Sequence, residues 1–400
     1  MKAVQILNRN LKLVGLSMAS RQLVMAGMMV LRSLYLYEIG FDPLTIGLLS
    51  TIATIVGAVR SGVIGLLADK YGKRTFIIFG GLFSFLRFVI FTFSMDFGML
   101  VLAQGLGAFG EGAGAGQPTI TGVIADNSTG ANRMKVFSWF AITNAVAAAI
   151  GSLLAGLPKG VQDWYGIGTV TSYQLFFALG AIFSIVSTII IIPMGEKKTE
   201  AMEVREAKSL LPRKSVDIII KFSFVRAVGG FGFGITQTLI PLWFKLTFGV
   251  GEEVLSLVYA ASRLLSIFSF LAIPNVVSTV GEMGSIAITR VASSFIMVGM
   301  VLSTNYVFAS ILLVAYRISL QFSMPIRQSF ITSAVDPSER SSAVGISNLS
   351  RMGFRSFAPT IGGYIMQNIS MSLPFFIGPG FAALNGALYY LLFRKVQSKE

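Results

Sequence analysis

The chain has 400 residues, of which 54% are hydrophobic and only 12% charged, with a mean hydropathy of +0.74. A soluble domain carries about 25% charged residues, so composition excludes a soluble enzyme and points to a polytopic membrane protein. Lys and Arg number 32 against 18 Asp and Glu, a net charge of +14, which in so apolar a chain reads as topology-setting loops and not as a nucleic-acid surface. Cysteine and histidine are both absent. That removes disulfides, zinc sites, thiol nucleophiles and histidine catalysis, so no metal and no cofactor are expected. The start of the chain is interrupted by Lys2, Arg9 and Lys12 and shows no small-residue cleavage site. The first apolar segment therefore reads as an uncleaved insertion signal.

Twelve helices are predicted in chain order. The first six cover about 13–35, 44–68, 75–94, 97–124, 134–156 and 170–193. The second six cover about 216–247, 253–275, 284–303, 306–333, 341–368 and 372–393. The sharpest breaks are Gly40 to Pro43, Asp69 to Arg74, Asp126 to Arg133 and Asp336 to Arg340. Lys70, Lys73, Arg74, Arg133, Lys135, Arg394, Lys395 and Lys399 make every second loop basic, while Glu38, Asp42, Asp96, Glu252 and Glu253 mark the opposite loops. The positive-inside rule then places both termini in the cytoplasm, which requires an even number of spans.

The long polar stretch between the sixth and seventh helices mixes Lys197, Lys198, Arg205, Lys208, Arg213 and Lys214 with Glu196, Glu200, Glu203 and Glu206. It reads as a solvated linker, with a short interfacial helix as the other option. The expected division is an N-terminal six-helix bundle at 1–193, a cytoplasmic linker at 194–216 and a C-terminal six-helix bundle at 217–400. A gap-free offset supports it: Pro118 pairs with Pro325, Ile124 with Ile331, Arg133 with Arg340 and Gly156 with Gly363. Parallel six-helix repeats are a known plan for transporters that bind substrate between the halves at the midplane.

The loop after the second helix reads Gly65-Leu-Leu-Ala-Asp69-Lys70-Tyr71-Gly72-Lys73-Arg74. It resembles the signature loop of the major facilitator superfamily at each of its six defining positions. Chain length, twelve spans and the central linker extend the resemblance over essentially the whole chain. The resemblance implies an all-α membrane protein with two pseudo-symmetric bundles, in the cell membrane, working as a secondary transporter and not an enzyme. It also implies that Gly65, Asp69, Lys70, Gly72, Lys73 and Arg74 form a cytoplasmic latch, to which Asp126, Arg133 and Arg340 add neighbouring contacts. The second-half copy is degenerate: Gly281 matches, but Ser278 stands where the aspartate would be.

Helix arithmetic puts Arg226, Arg263, Arg317, Arg351 and Arg355 near the midplane, with Arg32 toward the outer end of the first helix and Arg87 in the third. An Arg at a helix centre costs roughly 2.5–3.5 kcal/mol on the insertion scale, so five facing lipid would cost more than a typical folding free energy of ~5–15 kcal/mol. They must face a wet cavity, partners or an anion; backbone bonding and snorkelling account for some of them. The sole carboxylate placed at mid-membrane is Glu111. The surplus points to an anionic substrate, a carboxylate or phosphate that guanidinium forks bind bidentately.

Asn348, Arg351 and Arg355 share a helix face, as do Arg317 with Gln321 and Arg226 with Gln237. The family resemblance implies that helices 1, 4, 7 and 10 line the cavity, which places Arg32, Glu111, Arg226 and Arg317 around it. The candidate substrate set is Arg32, Arg226, Gln237, Arg317, Gln321, Arg351 and Arg355. Glu111 has two readings: it carries the coupling proton, or it is a permanent partner of Arg32 or another Arg. The expected partners are a small anion, protons and lipid, with no nucleic acid and a monomeric chain. The alternative is a proton-driven multidrug antiporter. Two departures weaken it: Ala358-Pro359-Thr-Ile-Gly362-Gly363 resembles the exporters' antiporter motif but lies in helix 11, and Val101 stands where their Arg would precede Gln104-Gly105.

Overall fold

The computed structural model describes residues 8–71, 73–110, 123–124, 127, 130–195, 214–336 and 339–397, and the described residues are all helical or connecting, with no strand. In chain order the helices are α1 (Arg9–Glu38), α2 (Pro43–Tyr71), α3 (Lys73–Phe93), α4 (Phe97–Gly110), α5 (Gly130–Leu154), α6 (Leu157–Tyr165) and α7 (Thr169–Ile191). There follow α8 (Val216–Gln237), α9 (Ile240–Phe248), α10 (Glu252–Leu271), α11 (Ile273–Leu302), α12 (Tyr306–Ala334), α13 (Arg340–Asn368) and α14 (Pro374–Gln397). Among the described residues nine segments are long and apolar enough to cross a membrane, and two shorter apolar helices lie at Pro43–Val59 and Phe97–Gly107. Helix α13 is as long as a span but carries Asn348, Arg351, Arg355 and Gln367.

Several breaks differ from expectation. The seventh span is two helices: α8 ends at Gln237, and α9 restarts with Pro241 in its first turn. Pro lacks the N–H that would continue the ladder, so the break follows. The fifth span continues as α6 after Gly156, with Pro158 in its first turn. Helix α2 runs to Tyr71 and α3 begins at Lys73, so most of the expected loop from Asp69 to Arg74 lies within the two helices. Hydropathy reads where apolar residues stop; a helix with charged residues at its end runs on past that point. Within α11 the chain turns at Gly281, whose φ of 73° is costly for any residue with a Cβ. That conformation gives a local reason for the glycine.

The described chain packs as two compact units, and α2 and α10 each contribute to both. Unit 1 comprises 1–41, 52–198 and 251–260. Its helices meet through small residues, as membrane helices do where tails give no hydrophobic drive to associate. A Cβ at Gly151 would lie 2.0 Å from the Leu23 carbonyl, so α1 and α5 touch backbone to backbone. Ser17 and Ser187 pair at 2.8 Å and Ser84 and Ser184 at 3.1 Å, fastening α1 and α3 to α7. The buried carboxylate of Glu252 accepts from the Tyr173 hydroxyl at 2.6 Å and from Gln162 Nε2 at 3.3 Å.

Unit 2 comprises 42–51, 199–250 and 261–400. Here α8 packs along α13, α11 along α14 and α12, and α14 along α8. Cβ atoms at Gly230, Gly234 and Gly362 would meet the carbonyls of Arg351, Arg355 and Ile235 at 2.4, 2.8 and 2.4 Å. Near one end lies an apolar core of Phe222, Phe330, Tyr389 and Phe393. The first turns of α2 lie on α13: Thr51 and Thr360 pair at 2.7 Å, and Gln367 donates to Asp42 at 3.1 Å.

Candidate functional site

The glycine contacts set the register of the site. Because Gly230 and Gly234 admit the carbonyls of Arg351 and Arg355, those side chains leave α13 beside α8. Arg226 of α8 extends toward α13 and donates to Asn348 Oδ1 at 2.8 Å and to Ser347 Oγ at 3.4 Å. Arg355 lies over the Phe233 ring, 4.7 Å from its centroid, and Arg226 is 5.7 Å from that of Phe222, both in cation–π range. Three predicted residues, Arg226, Arg351 and Arg355, are thus brought together with Asn348. Arg317 goes elsewhere: its Nε donates to Ser262 Oγ at 2.9 Å, while Gln237 donates to the neighbouring Tyr316 hydroxyl at 3.3 Å. Gln321 is exposed on α12, and Arg32 is half-buried on α1 in unit 1.

Two further guanidiniums join the group that the sequence reading did not name. Arg290 of α11 is only 6% exposed and Arg327 of α12 is half-buried. Arg327 and Arg351 lie within electrostatic range of both Arg226 and Arg290. Arg290 could have been found, because it falls well inside the predicted helix 284–303. Arg327 could have been found from its place before the end of the predicted helix 306–333. The Tyr389 phenol of α14 is a common electrostatic neighbour of Arg226, Arg290 and Arg351. Helix rise puts this layer about 10–16 Å along the axes from one end of the unit.

Among the described residues the charged neighbours of Arg226, Arg290 and Arg351 are other guanidiniums and phenols, not carboxylates. The carboxylates Asp217, Asp336 and Glu339 lie at helix ends. Asp217 pairs with Lys221 at 2.6 Å and Asp336 with Lys214 at 3.2 Å. Glu339 accepts from the backbone N–H groups of Lys214 and Ser215 at 2.8 Å each. The Nε atoms of Arg226, Arg290 and Arg351 are buried without a hydrogen-bond partner, as is the Tyr389 hydroxyl. A buried donor left unmade costs about 1–3 kcal/mol, more when charged. Such an arrangement suits a ligand that brings acceptors and negative charge.

Glu111 lies outside the described residues, as do Gly72 and Asp126. Gly65, Asp69, Lys70 and Lys73 fall in α2 and α3, Arg133 in α5 and Arg340 at the start of α13, but their side chains are likewise outside the description. Arg74 is described, and its guanidinium donates to the Ile192 carbonyl at the end of α7. In unit 1, Arg87 is buried, within 3.8 Å of Met25 Sδ and 5.9 Å from the ring centroids of Phe88 and Phe91.

The family model described as Major Facilitator Superfamily matches residues 14–353. The chain belongs to the major facilitator superfamily. It is a multi-pass transporter of the cell membrane, as the signature loop and hydropathy led one to expect. An uncharacterized membrane protein of Saccharomyces cerevisiae is 19% identical over 428 aligned residues, covering 98% of this chain and 96% of its own. The quinolone resistance protein NorA of Staphylococcus aureus is 23% identical over 295 residues, 72% of each chain. The crystal structure of the nucleoside transporter NupG superposes with a TM-score of 0.77 at 16% identity, covering 97% of this chain and 100% of its own. At that identity the likeness establishes the fold.

Proposed function

We propose that this superfamily member is a proton-coupled secondary transporter of a small organic or inorganic anion. The observation that carries the reading is the guanidinium group of unit 2, where Arg226, Arg290 and Arg351 lie with Arg327 and, among the described residues, the charged neighbours of Arg226, Arg290 and Arg351 include no carboxylate. Guanidiniums inside an apolar bundle are costly unless a cavity, a partner or an anion compensates them. In this reading both termini are cytoplasmic and the protein acts as a monomer. Residues 1–193 rock against 217–400 about the substrate and expose it to each side in turn. The loop from Gly65 to Arg74, with Asp126, Arg133 and Arg340, is the latch of that motion. Arg32, Gln237, Arg317 and Gln321 complete the substrate set.

Glu111 carries the coupling proton, since the chain has no histidine. The test is reconstitution into sealed liposomes with counterflow of carboxylates, sugar acids and phosphates, with and without a pH gradient. Glu111→Gln is expected to abolish pH-driven accumulation while leaving exchange. Accumulation with wild-type pH dependence in that variant would sink the assignment.

A second reading is export of drugs, favoured by the 23% identity to the quinolone resistance protein of Staphylococcus aureus over 72% of each chain. It predicts efflux of lipophilic cations, for which an Arg-rich site is a poor electrostatic match. Pumping of such a cation, with no anion exchanged, would reverse the ranking.

A further inference from the structure

The arginine group in unit 2 differs from a general anion site in its charge count and in which atoms are left over. Arg226, Arg290, Arg327 and Arg351 come from four different helices, α8, α11, α12 and α13. Four guanidiniums carry four positive charges. A monoanion among them would leave three uncompensated in a bundle where charge is expensive. The unpaired buried atoms include three guanidinium Nε–H groups and the Tyr389 hydroxyl. Each can donate, so a ligand seated among them would accept several hydrogen bonds at once. Phe222 links two members of the group, its ring lying 5.7 Å from the Arg226 guanidinium and 5.8 Å from the Tyr389 ring, while Arg290 packs on Gly386, one turn before Tyr389. The Tyr389 ring is held among Phe222 and Phe393, with centroids 5.8 and 6.2 Å away, so the hydroxyl is not free to swing out.

We infer that Arg226, Arg290, Arg327, Arg351 and the Tyr389 hydroxyl form a binding site for a dianionic oxyanion group, a phosphate or a phosphomonoester. This deepens the proposed anion transport and rests on it. A phosphate group gathers two charges and its acceptor oxygens on one small centre, which matches donors converging from several helices. A monocarboxylate offers two acceptor oxygens and one charge. A dicarboxylate spreads its charges over two centres. Arg290 is the most buried member of the set, and it contributes charge and an Nε donor.

The test uses the detergent-purified full-length protein and its thermal unfolding midpoint at constant ionic strength. The probes are inorganic phosphate, glycerol phosphate, succinate, acetate, chloride and tetraphenylphosphonium, each at pH 6 and pH 8. Binding to the native state raises the midpoint. Both phosphates, or one of them, are expected to raise it, more at pH 8 than at pH 6, because the second proton leaves a phosphomonoester near pH 6 and inorganic phosphate about one unit higher. A larger shift with glycerol phosphate identifies an ester as cargo; a larger one with inorganic phosphate identifies the free ion. Shifts with acetate or succinate equal to or above those with phosphate overturn the dianion inference and leave an anion transporter standing. A shift with tetraphenylphosphonium alone overturns both readings. No shift with any probe overturns the dianion site.

Arg290→Gln and Arg327→Gln supply a second measurement. Removing one of several mutually repelling charges is expected to raise the midpoint of the ligand-free protein and abolish the phosphate shift. Arg290→Lys keeps the charge without the fork and is expected to retain part of the shift. Glutamine variants that unfold earlier yet keep the full phosphate shift would make these arginines structural and overturn the inference. If a variant does not fold, the wild-type probe series decides alone.

Discussion

Replacing Gly230 by alanine tests whether backbone contact between α8 and α13 sets the position of Arg351. A Cβ at that position would lie 2.4 Å from the Arg351 carbonyl oxygen and 3.1 Å from its Cγ. Even the close C···O approaches of packed helices are about 3.3–3.6 Å, so the two backbones must separate by about 1 Å. Overpacking of this kind costs about 1–3 kcal/mol. Alanine itself favours a helix interior over glycine by about 1 kcal/mol, which hides part of the clash in a single variant. Gly353 provides the control, since it sits inside α13 and a Cβ there meets nothing within 4 Å. The propensity gain is common to both substitutions and cancels in the comparison. Gly230→Ala should therefore be about 1–3 kcal/mol less stable than Gly353→Ala in detergent unfolding. Arg351 should move with its backbone, and misplacement of a binding group by about 1 Å weakens function strongly. Anion counterflow should fall in Gly230→Ala and persist in Gly353→Ala. Equal stability of the two variants, within about 0.5 kcal/mol, would refute the claim that this glycine sets the register.

Tyr173→Phe removes the 2.6 Å hydrogen bond to the buried Glu252 carboxylate, and should cost about 1.5–3 kcal/mol in equilibrium unfolding. Combining it with Glu252→Gln should cost less than the sum of the two singles; strict additivity would show that the contact carries no coupling. Asp42 is held below the ordinary carboxylate range, chiefly by the Thr45 backbone N–H, with further hydrogen bonds from the Thr45 side chain and Gln367. Its folded pKa is depressed, so its contribution is present above the unfolded value and fades as pH falls through the folded one. Asp42→Asn should keep the α2 cap but flatten that acid limb, and Asp42→Ala should lose about 0.5–1 kcal/mol near neutrality. Thermal unfolding between pH 3 and pH 7 reads both, and an unchanged acid limb in Asp42→Asn would dismiss the carboxylate as its source.

How much of this was legible in the sequence depends on which physical signal each feature leaves. Membrane spans leave a strong one, because lipid demands about twenty apolar residues in a row, and the family followed from a loop with six defining positions. Helix breaks leave a weaker one. Residues 216–247 stay apolar across the interruption after Gln237, and Pro241 alone marks it. Site residues were legible as charges but not as pairs. The spacing of Asn348, Arg351 and Arg355 puts them on one side of α13, yet each meets a different partner. Asn348 accepts from Arg226, Arg351 joins Arg290 and Arg327 in one electrostatic group, and Arg355 lies over Phe233.

What turns a helix face into a site is the register of the neighbouring helix, and register is written in glycines. Sequence shows that Gly230, Gly234 and Gly362 are there, but not which carbonyl each admits. Arg290 shows the same limit from the other side. Its place inside a predicted span marks it as costly, but only packing against Gly386, where a Cβ would lie 2.8 Å from the Arg290 Cβ, explains its burial. Small residues at helix contacts thus do two things at once. They bring backbones together, and by doing so they decide which buried charges become neighbours. A charge group assembled this way is stable only if something compensates it. Around Arg226, Arg290 and Arg351 the described residues supply hydroxyls, amides and aromatic faces, and in the function proposed above the negative charge comes with the cargo.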